Sequence, residues 1–223
     1  MTAPAAGRWC VLGAGRGSAE LVDLLGDVVV GAAAGPSADV VALDDQHPKG
    51  PKDVAGAPVV GTLAAAVVEA QRGRALLSGI ANSRTKGVRL VIVDKLAGLG
   101  LPPSAWGTFV HPAARISPRA TVGRGAIVYP GVQVAVDARV EEHALLYFNA
   151  VVHHDAVVGR GSILCAGVLL AGHVQVGEGA YLGIGAVVKD GVTVGANALV
   201  GMGAVVTKDV PEGAVVKGVP ART

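Results

Sequence analysis

From Val110 onward the chain returns to an aliphatic residue at every sixth position, through Ile116, Val122, Val128 and Val134 to Val200 and Val206, and the register never breaks. Four residues after each comes something small or β-branched, from Ala114 and Ala120 through Ser162 to Val210. A helix repeats at about 3.6 residues and a strand at about two, so neither accounts for a period of six. Repetition of this kind marks a solenoid. Three hexads would make one coil of a triangular parallel β-helix, with the aliphatic side chains filling the inside and the small ones letting the corners close. Turns such as Gly123-Arg124-Gly125 give the backbone freedom to bend there.

The composition agrees with narrow coils. Hydrophobic residues make up 51% of the 223 positions but aromatics only 3%, so Ala, Val and Gly carry the apolar content. A formal net charge of +2, with no Lys/Arg cluster interleaved with aromatics, argues against a nucleic-acid partner. Cys10 and Cys165 fall in different halves of the chain, which points away from a disulfide framework and towards a reducing cytoplasm. The opening Met1–Gly15 segment has no cationic leader before a long apolar run, and no apolar run is long enough to span a bilayer.

Before Val110 the pattern changes to alternating strands and helices. Trp9–Leu12 reads as a buried strand running into Gly13-Ala14-Gly15-Arg16-Gly17-Ser18, and a helix follows with Ser18 at its N-cap and Leu21, Val22, Leu24 and Leu25 on its apolar side. A second strand ends at Val40–Leu43, before Asp44-Asp45, and the segment 46–58 reads as a loop. A helix over Leu63–Gln71, a strand over Ala75–Ile80 and a helix capped by Asn82-Ser83 and running to about Leu96 complete a small parallel α/β domain. The expected division is a Rossmann-like domain over 1–104 and a β-helix with its C-terminal tail over 105–223. Backbone N–H groups between a strand and a helix favour a phosphate at the glycine-rich turn. Asp44 and Asp45 stand where an acid would meet a ribose or a base.

Four of the six histidines, His143, His153, His154 and His173, fall on the middle coils; His111 precedes them and His47 lies in the loop. His154 and Asp155 are the third and fourth residues of the hexad beginning at Val152, which places both at a corner. A carboxylate bonded to one ring nitrogen fixes the tautomer and raises the basicity of the other. Residues 18 apart should stack at about 4.8 Å. That count puts Gly172 above His154, His173 above Asp155 and Asp137 below it. Gly172 leaves room beside the imidazole and offers a backbone N–H to an oxyanion. His143 and His153 are expected to be solvated corner residues, Cys165 to be structural, and no metal is expected, since His143, His154 and His173 occupy different columns.

Over nearly its whole length the chain resembles the sugar O- and N-acetyltransferases of the sialic acid O-acetyltransferase type, a family that includes UDP-4-amino-sugar and GDP-perosamine N-acetyltransferases. The resemblance is carried by the glycine-rich turn, Leu43-Asp44-Asp45, Ile80-Ala81-Asn82-Ser83, Val152-His153-His154-Asp155, the hexads and the closing Gly218-Val219-Pro220-Ala221. It implies a left-handed parallel β-helix, a homotrimer with active sites between neighbouring subunits, and acetyl-CoA as the acyl donor without a metal. It further implies His154 as general base with Asp155 behind it, Gly172 at the acetyl carbonyl, and Ile163, Ile184 and Met202 along the acetyl-CoA groove. The nucleotide sugar would lie against Gly15, Arg16, Gly17, Asp44, Asp45, Ala81 and Asn82. The chain departs from the family pattern at Arg16-Gly17-Ser18, at Tyr147 where an asparagine is usual, and at His153 where an acid is usual. The expected activity is N-acetylation of a nucleotide-linked 4-amino-6-deoxy-sugar. The alternatives are O-acetylation of a sugar hydroxyl, a non-catalytic nucleotide-sugar sensor, and a zinc-dependent hydratase.

Overall fold

The computed structural model describes residues 7–31, 39–82 and 87–223, with side chains up to residue 26 in the first stretch. Contacts divide the chain into two units: one holds the residues through Ala81 with Val91–Thr108, the other Asn82–Leu90 with Phe109–Thr223. Among the described residues, no helix is long and apolar enough to cross a membrane.

The first unit is built on a five-stranded sheet in the order β3-β4-β2-β1-β5. Strand β1 (Arg8–Leu12) pairs in parallel with β2 (Asp39–Leu43) on one side and β5 (Ala75–Ser78) on the other. Cys10, Val11, Leu12, Ala42, Leu43, Leu76 and Leu77 are fully or almost fully buried, as near-continuous apolar strands in a parallel sheet require. Strand β4 (Ala57–Gly61) extends the parallel set beside β2, and β3 (Asp53–Val54) runs antiparallel to β4. That hairpin lies inside the segment 46–58 expected to be a loop. It closes through Ala55 at φ 47 and Gly56 at φ 83, the two positive dihedrals of a tight hairpin turn, and buries Val54. Because the chain steps from β1 outward through β2 to β4 and then crosses back to β5, the sheet's switch point lies between β1 and β5.

Helix α1 (Arg16–Gly31) buries Leu21, Val22, Leu24 and Leu25 as expected, but begins earlier than Ser18. The Gly15 carbonyl accepts the N–H groups of Ser18 and Ala19, so Ser18 lies in the first turn and its hydroxyl donates to Leu12 O at 3.3 Å. A 3-10 turn (Leu63–Ala65) and α2 (Ala66–Gln71) fill the place of the second expected helix. Helix α3 runs from Val88 to Gly98; Asn82 stands well before its first turn, and Ser83 lies outside the described residues.

The second unit is a parallel β-helix. Two-residue strands from Phe109–Val110 to Val215–Val216 stack into three sheets, and each strand pairs with the one a full coil away, as Val151↔Leu169 and Val152↔Leu170 illustrate. Val128, Leu146, Val152, Val158, Leu164, Leu182 and Val200 are wholly buried, as are Ala126, Ala144, Ala156 and Ser162 at the corners. The hexad reading of which side chains fill the coil is therefore correct. Every sixth backbone from Gly125 to Gly203 turns through the left-handed region. Glycine takes most of these positions, while Asp137, His143, Asn149, Asp155, His173 and Asn197 take the rest at φ between 55 and 60. The tail leaves the register as expected and still adds a strand: Val215 pairs with Leu199, two residues short of a full coil. Within this unit, Gly87–Leu90 lie on the solenoid, with the Leu90 side chain against Gly161 and Arg89 Nε donating to His143 O at 2.6 Å.

Candidate active site

His154 and Asp155 come together at one corner as the spacing demands. The left-handed backbone at Asp155, φ 57, folds the carboxylate back beside its neighbour's ring, and His154 Nδ1 lies 2.9 Å from Asp155 Oδ2. With Nδ1 donating to the carboxylate, Nε2 is the open acceptor. That hydrogen bond is the main cause that holds Asp155 below the usual carboxylate range, and the neighbouring His173 and Arg119 act in the same direction. Asp155 therefore stays ionised. Both side chains remain reachable from solvent, at 38% and 46% exposure.

Gly172 and His173 take the stacked places expected of them. His173 N–H donates to His154 O at 3.0 Å, one coil on. A β-carbon added at Gly172 would lie 2.6 Å from His154 Cε1, 2.8 Å from His154 Nε2 and 2.8 Å from Asp190 Oδ2. With no side chain of its own, Gly172 lets the His154 imidazole and Asp190 come close to its backbone, and the imidazole faces the gap between itself and that carboxylate. Ala171 and His173 donate their N–H groups to Val188 O and His154 O; among the described residues no acceptor takes the N–H of Gly172 between them. The arrangement offers an imidazole acceptor and a free amide donor on one small space.

Two further neighbours at this corner, Arg119 and Asp190, carry no sequence signal beyond the count of 18, and His153 adjoins the pair along the chain. Arg119 sits below Asp137 and grips it with two bonds, of 2.9 and 2.6 Å, so the acidic column is partly neutralised from beneath. Asp190 sits above Gly172. His153, expected to be merely solvated, is exposed but lies edge-on to His154 with centroids 4.6 Å apart; His173 flanks the other edge at 5.1 Å. A groove of about 570 Å³, lined by Ser117, Gln133, Val136, Val151 and His153, leads to the corner. One ligand atom each from His154, Asp155 and His173 lies within 4.8 Å of the other two, so these are the side chains that could share a cation; the same atoms form the imidazole–carboxylate pair.

Other expectations need correction. His143 is buried, not solvated; burial is the main cause that pushes its imidazole down to about 4, with the charges of Arg89, Arg160 and Arg124 adding to it. Ile184 and Met202 stack on successive coils at 60% and 78% exposure, but Ile163 belongs to another column. It pairs with Leu145 and Tyr181 and is buried, since 163 and 184 are not separated by a whole number of coils. Cys165 is buried, its thiol pushed up by that burial, with Tyr181 as hydrogen-bond partner; this is the structural role expected.

In the first unit the glycine-rich turn lies at the sheet's switch point. Gly13 takes φ 96, and Gly79 N–H donates to Leu12 O where the ends of β1 and β5 meet. Gly15 and Arg16 are exposed, and among the described residues no acceptor takes the N–H groups of Gly15, Arg16 or Gly17. Asp44 and Asp45, expected to meet a ligand, are occupied within the unit. Asp44 accepts from Ala14 N and Gln46 N, each at 2.8 Å, and Asp45 accepts from Leu63 N at 3.0 Å and pairs with Lys95 at 2.8 Å. They brace the crevice. Ala81 is half-buried and Asn82 exposed, the latter beside Gly161, Tyr181 and Asn197 within the second unit.

A hexad solenoid with a histidine–carboxylate corner defines a class of transferase, and residues 173–208 match the family of bacterial transferase hexapeptide (six repeats). The fold is similar throughout to perosamine N-acetyltransferase from Caulobacter crescentus, whose structure is in complex with CoA and GDP-perosamine: 31% identity, 98% of this chain and 97% of that one, TM-score 0.82. It is also similar to the acetyltransferase domain of PglB from Neisseria gonorrhoeae in complex with acetyl coenzyme A (28% identity, 98% and 99% coverage, TM-score 0.81). WeeI from Acinetobacter baumannii is similar at 26% identity, with 96% and 98% coverage and a TM-score of 0.79. No curated protein matches the chain at a significant level. The chain belongs to the family of hexapeptide-repeat acyltransferases that act on nucleotide-linked amino sugars.

Proposed function

We propose that this enzyme transfers the acetyl group of acetyl-CoA to the amino group of a nucleotide-linked 4-amino-6-deoxy-sugar, with both substrates bound together. The observation that carries the reading is the His154 Nδ1–Asp155 bond, which leaves Nε2 facing the gap beside the unpaired Gly172 N–H. The amine attacks the thioester carbonyl carbon while His154 Nε2 accepts its proton; the Gly172 N–H meets the oxyanion. Collapse of the tetrahedral intermediate breaks the C–S bond, and His154 returns the proton to the departing thiolate of CoA. Asp155 keeps the imidazole in the right tautomer and stabilises its charged form.

The exposed pair Ile184 and Met202 offers an apolar rail for the pantetheine arm, without Ile163. In the first unit, the free N–H groups of Gly15, Arg16 and Gly17 at the start of α1 and the Arg16 charge suit the diphosphate of the nucleotide sugar. Asp44 holds that turn in shape through Ala14 N, Asp45 ties the neighbouring strand end to Leu63 and Lys95, and Ala81 and Asn82 follow the end of β5. A homotrimer is part of the proposal, because Val151, Leu169, Val187 and Val205 make an outward apolar stripe on one sheet, with Leu169 left 43% exposed. The two buried free cysteines suit a cytoplasmic setting.

The test is release of CoA thiol from acetyl-CoA in the presence of UDP-, GDP- and dTDP-linked 4-amino-sugars. At least one amino-sugar should be turned over, and His154→Ala should lower kcat about 10²-fold or more. Wild-type turnover by that variant would remove the base assignment, and no turnover of any acceptor by the wild type would remove the reading.

A further inference from the structure

We propose that Asp190 is the residue that makes this site select an amine over a hydroxyl, by accepting a hydrogen bond from the attacking amino group while His154 accepts the proton. The inference rests on the acetyl-transfer reading above and deepens it.

His154 Nε2 and Asp190 Oδ2 both reach over the backbone of Gly172, each 2.8 Å from where a β-carbon of that residue would stand. Asp190 stands one coil beyond Gly172, as the Gly191 N–H donating to Gly172 O at 3.0 Å records. Two hydrogen-bond acceptors therefore face one small patch in front of the Gly172 backbone, and among the described residues no hydrogen bond joins them. An sp³ nitrogen placed there has at least two hydrogens to offer, one for each acceptor. A hydroxyl has one, so it must leave either the imidazole or the carboxylate unsatisfied. Sites built around a donor reject analogues that lack it because the unpaired polar group is costly.

Asp190 is also the carboxylate here that the fold does not use. Asp155 is held by His154, Asp137 by Arg119, and Asp209 accepts from Thr193 N at 2.8 Å. Among the described residues, no hydrogen bond or ion pair engages the Asp190 side chain, which is exposed at the mouth of the gap. Its charge also suits the step. As the nitrogen lone pair forms the N–C bond and the carbonyl π electrons move to oxygen, the nitrogen becomes cationic until His154 takes its proton. A carboxylate bonded to one remaining N–H stabilises that charge, with a charge-assisted bond of the stronger kind. Asp190 neither gains nor loses a proton in the cycle. The proton passes from nitrogen to His154 and then to the thiolate.

The experiment compares wild type, Asp190→Ala and Asp190→Asn, with the amino-sugar nucleotide that the wild type turns over and with the same nucleotide sugar bearing a hydroxyl in place of the amine. Thiol release, acetyl-CoA KM and melting temperature are read for each. The expected result is a loss of about tenfold or more in kcat/KM for the amine in the alanine variant, with unchanged acetyl-CoA KM and melting temperature. The asparagine variant, which keeps an acceptor oxygen but no charge, should fall between, and the amine-to-hydroxyl preference should shrink in both. An unchanged kcat/KM for the amine, or an equal loss on both acceptors, overturns the role of Asp190 and leaves the acetyltransferase reading standing. Absence of amine acetylation by the wild type overturns both.

Discussion

Gly172→Ala separates the stability of the solenoid from its chemistry. Gly172 lies outside the left-handed region, so its backbone accepts an alanine, and losing a glycine from the unfolded chain stabilises by about 0.4–1 kcal/mol. The cost falls on the site. The new methyl would stand 2.6 Å from His154 Cε1 and 2.8 Å from Nε2, closer than packed atoms tolerate. The imidazole has little sideways freedom, with His153 and His173 at its edges, 4.6 and 5.1 Å away by ring centroid. Relief requires it to swing outward and stretch the 2.9 Å bond to Asp155. That bond is at the surface, so its loss should roughly cancel the glycine gain and leave the melting temperature within a few degrees of wild type. Catalysis should respond differently. A displacement of about 1 Å in a general base costs on the order of 10² in rate, and the methyl also crowds the space between His154 and Asp190. Thiol release should therefore fall about 10²-fold or more while the thermal melt scarcely moves. Gly26→Ala, at a helical glycine with open space around its β-position, is the matched control and should retain full activity. If Gly172→Ala keeps its kcat within about threefold of wild type, the gap is not where the reaction occurs.

Two further outcomes concern groups away from the reaction. His143 is held neutral by burial, at about 4 against the usual 6.5, so the folded state declines a proton that the unfolded chain accepts. Stability should then fall as pH drops from 6.5 towards 4 and level off below it, and His143→Asn should flatten the upper part of that slope in thermal melts. Equal slopes in the two proteins would exclude His143 as the source. Burial pushes Cys10 up to about 12 and raises Cys165, so a disulfide reagent should label neither thiol until the protein unfolds, and Cys165→Ala should keep its turnover. Rapid labelling of the native protein would contradict that burial.

The solenoid was legible because its signal is periodic and redundant. Each of Val128, Leu146 and Leu164 repeats the same instruction, and no tertiary event can move one of them without moving its whole coil. The same ruler placed His154, Asp155, Gly172 and His173 correctly, since each sits a fixed count from the next. It could equally have been run one coil further, down to Arg119 and up to Asp190. The structure departs from expectation where the period of 18 does not link the residues or where no period exists. Ile163 is not a whole number of coils from Ile184. His143 sits at a corner like His154, but Arg89 and Leu90, far away in sequence, lie against its part of the solenoid. In the first unit, Asp44 and Asp45 stand at the expected strand end, but which N–H groups fill a carboxylate is decided by loops that have no pattern to read.

The left-handed turn residue of each hexad also bears on how such an enzyme arises. Glycine is the least strained choice there, and the six exceptions between Asp137 and Asn197 are all Asp, Asn or His, the side chains that tolerate this backbone best. Two of the three, Asp and His, are also among the side chains most useful in acid–base chemistry. A lineage can therefore exchange glycine for a functional group at any corner for a modest loss of stability and without disturbing the coil interior. Reversion at Asp155 to glycine should give a sturdier and less active protein. On this scaffold, the place where chemistry can be tried and the place where folding is most forgiving are the same residue.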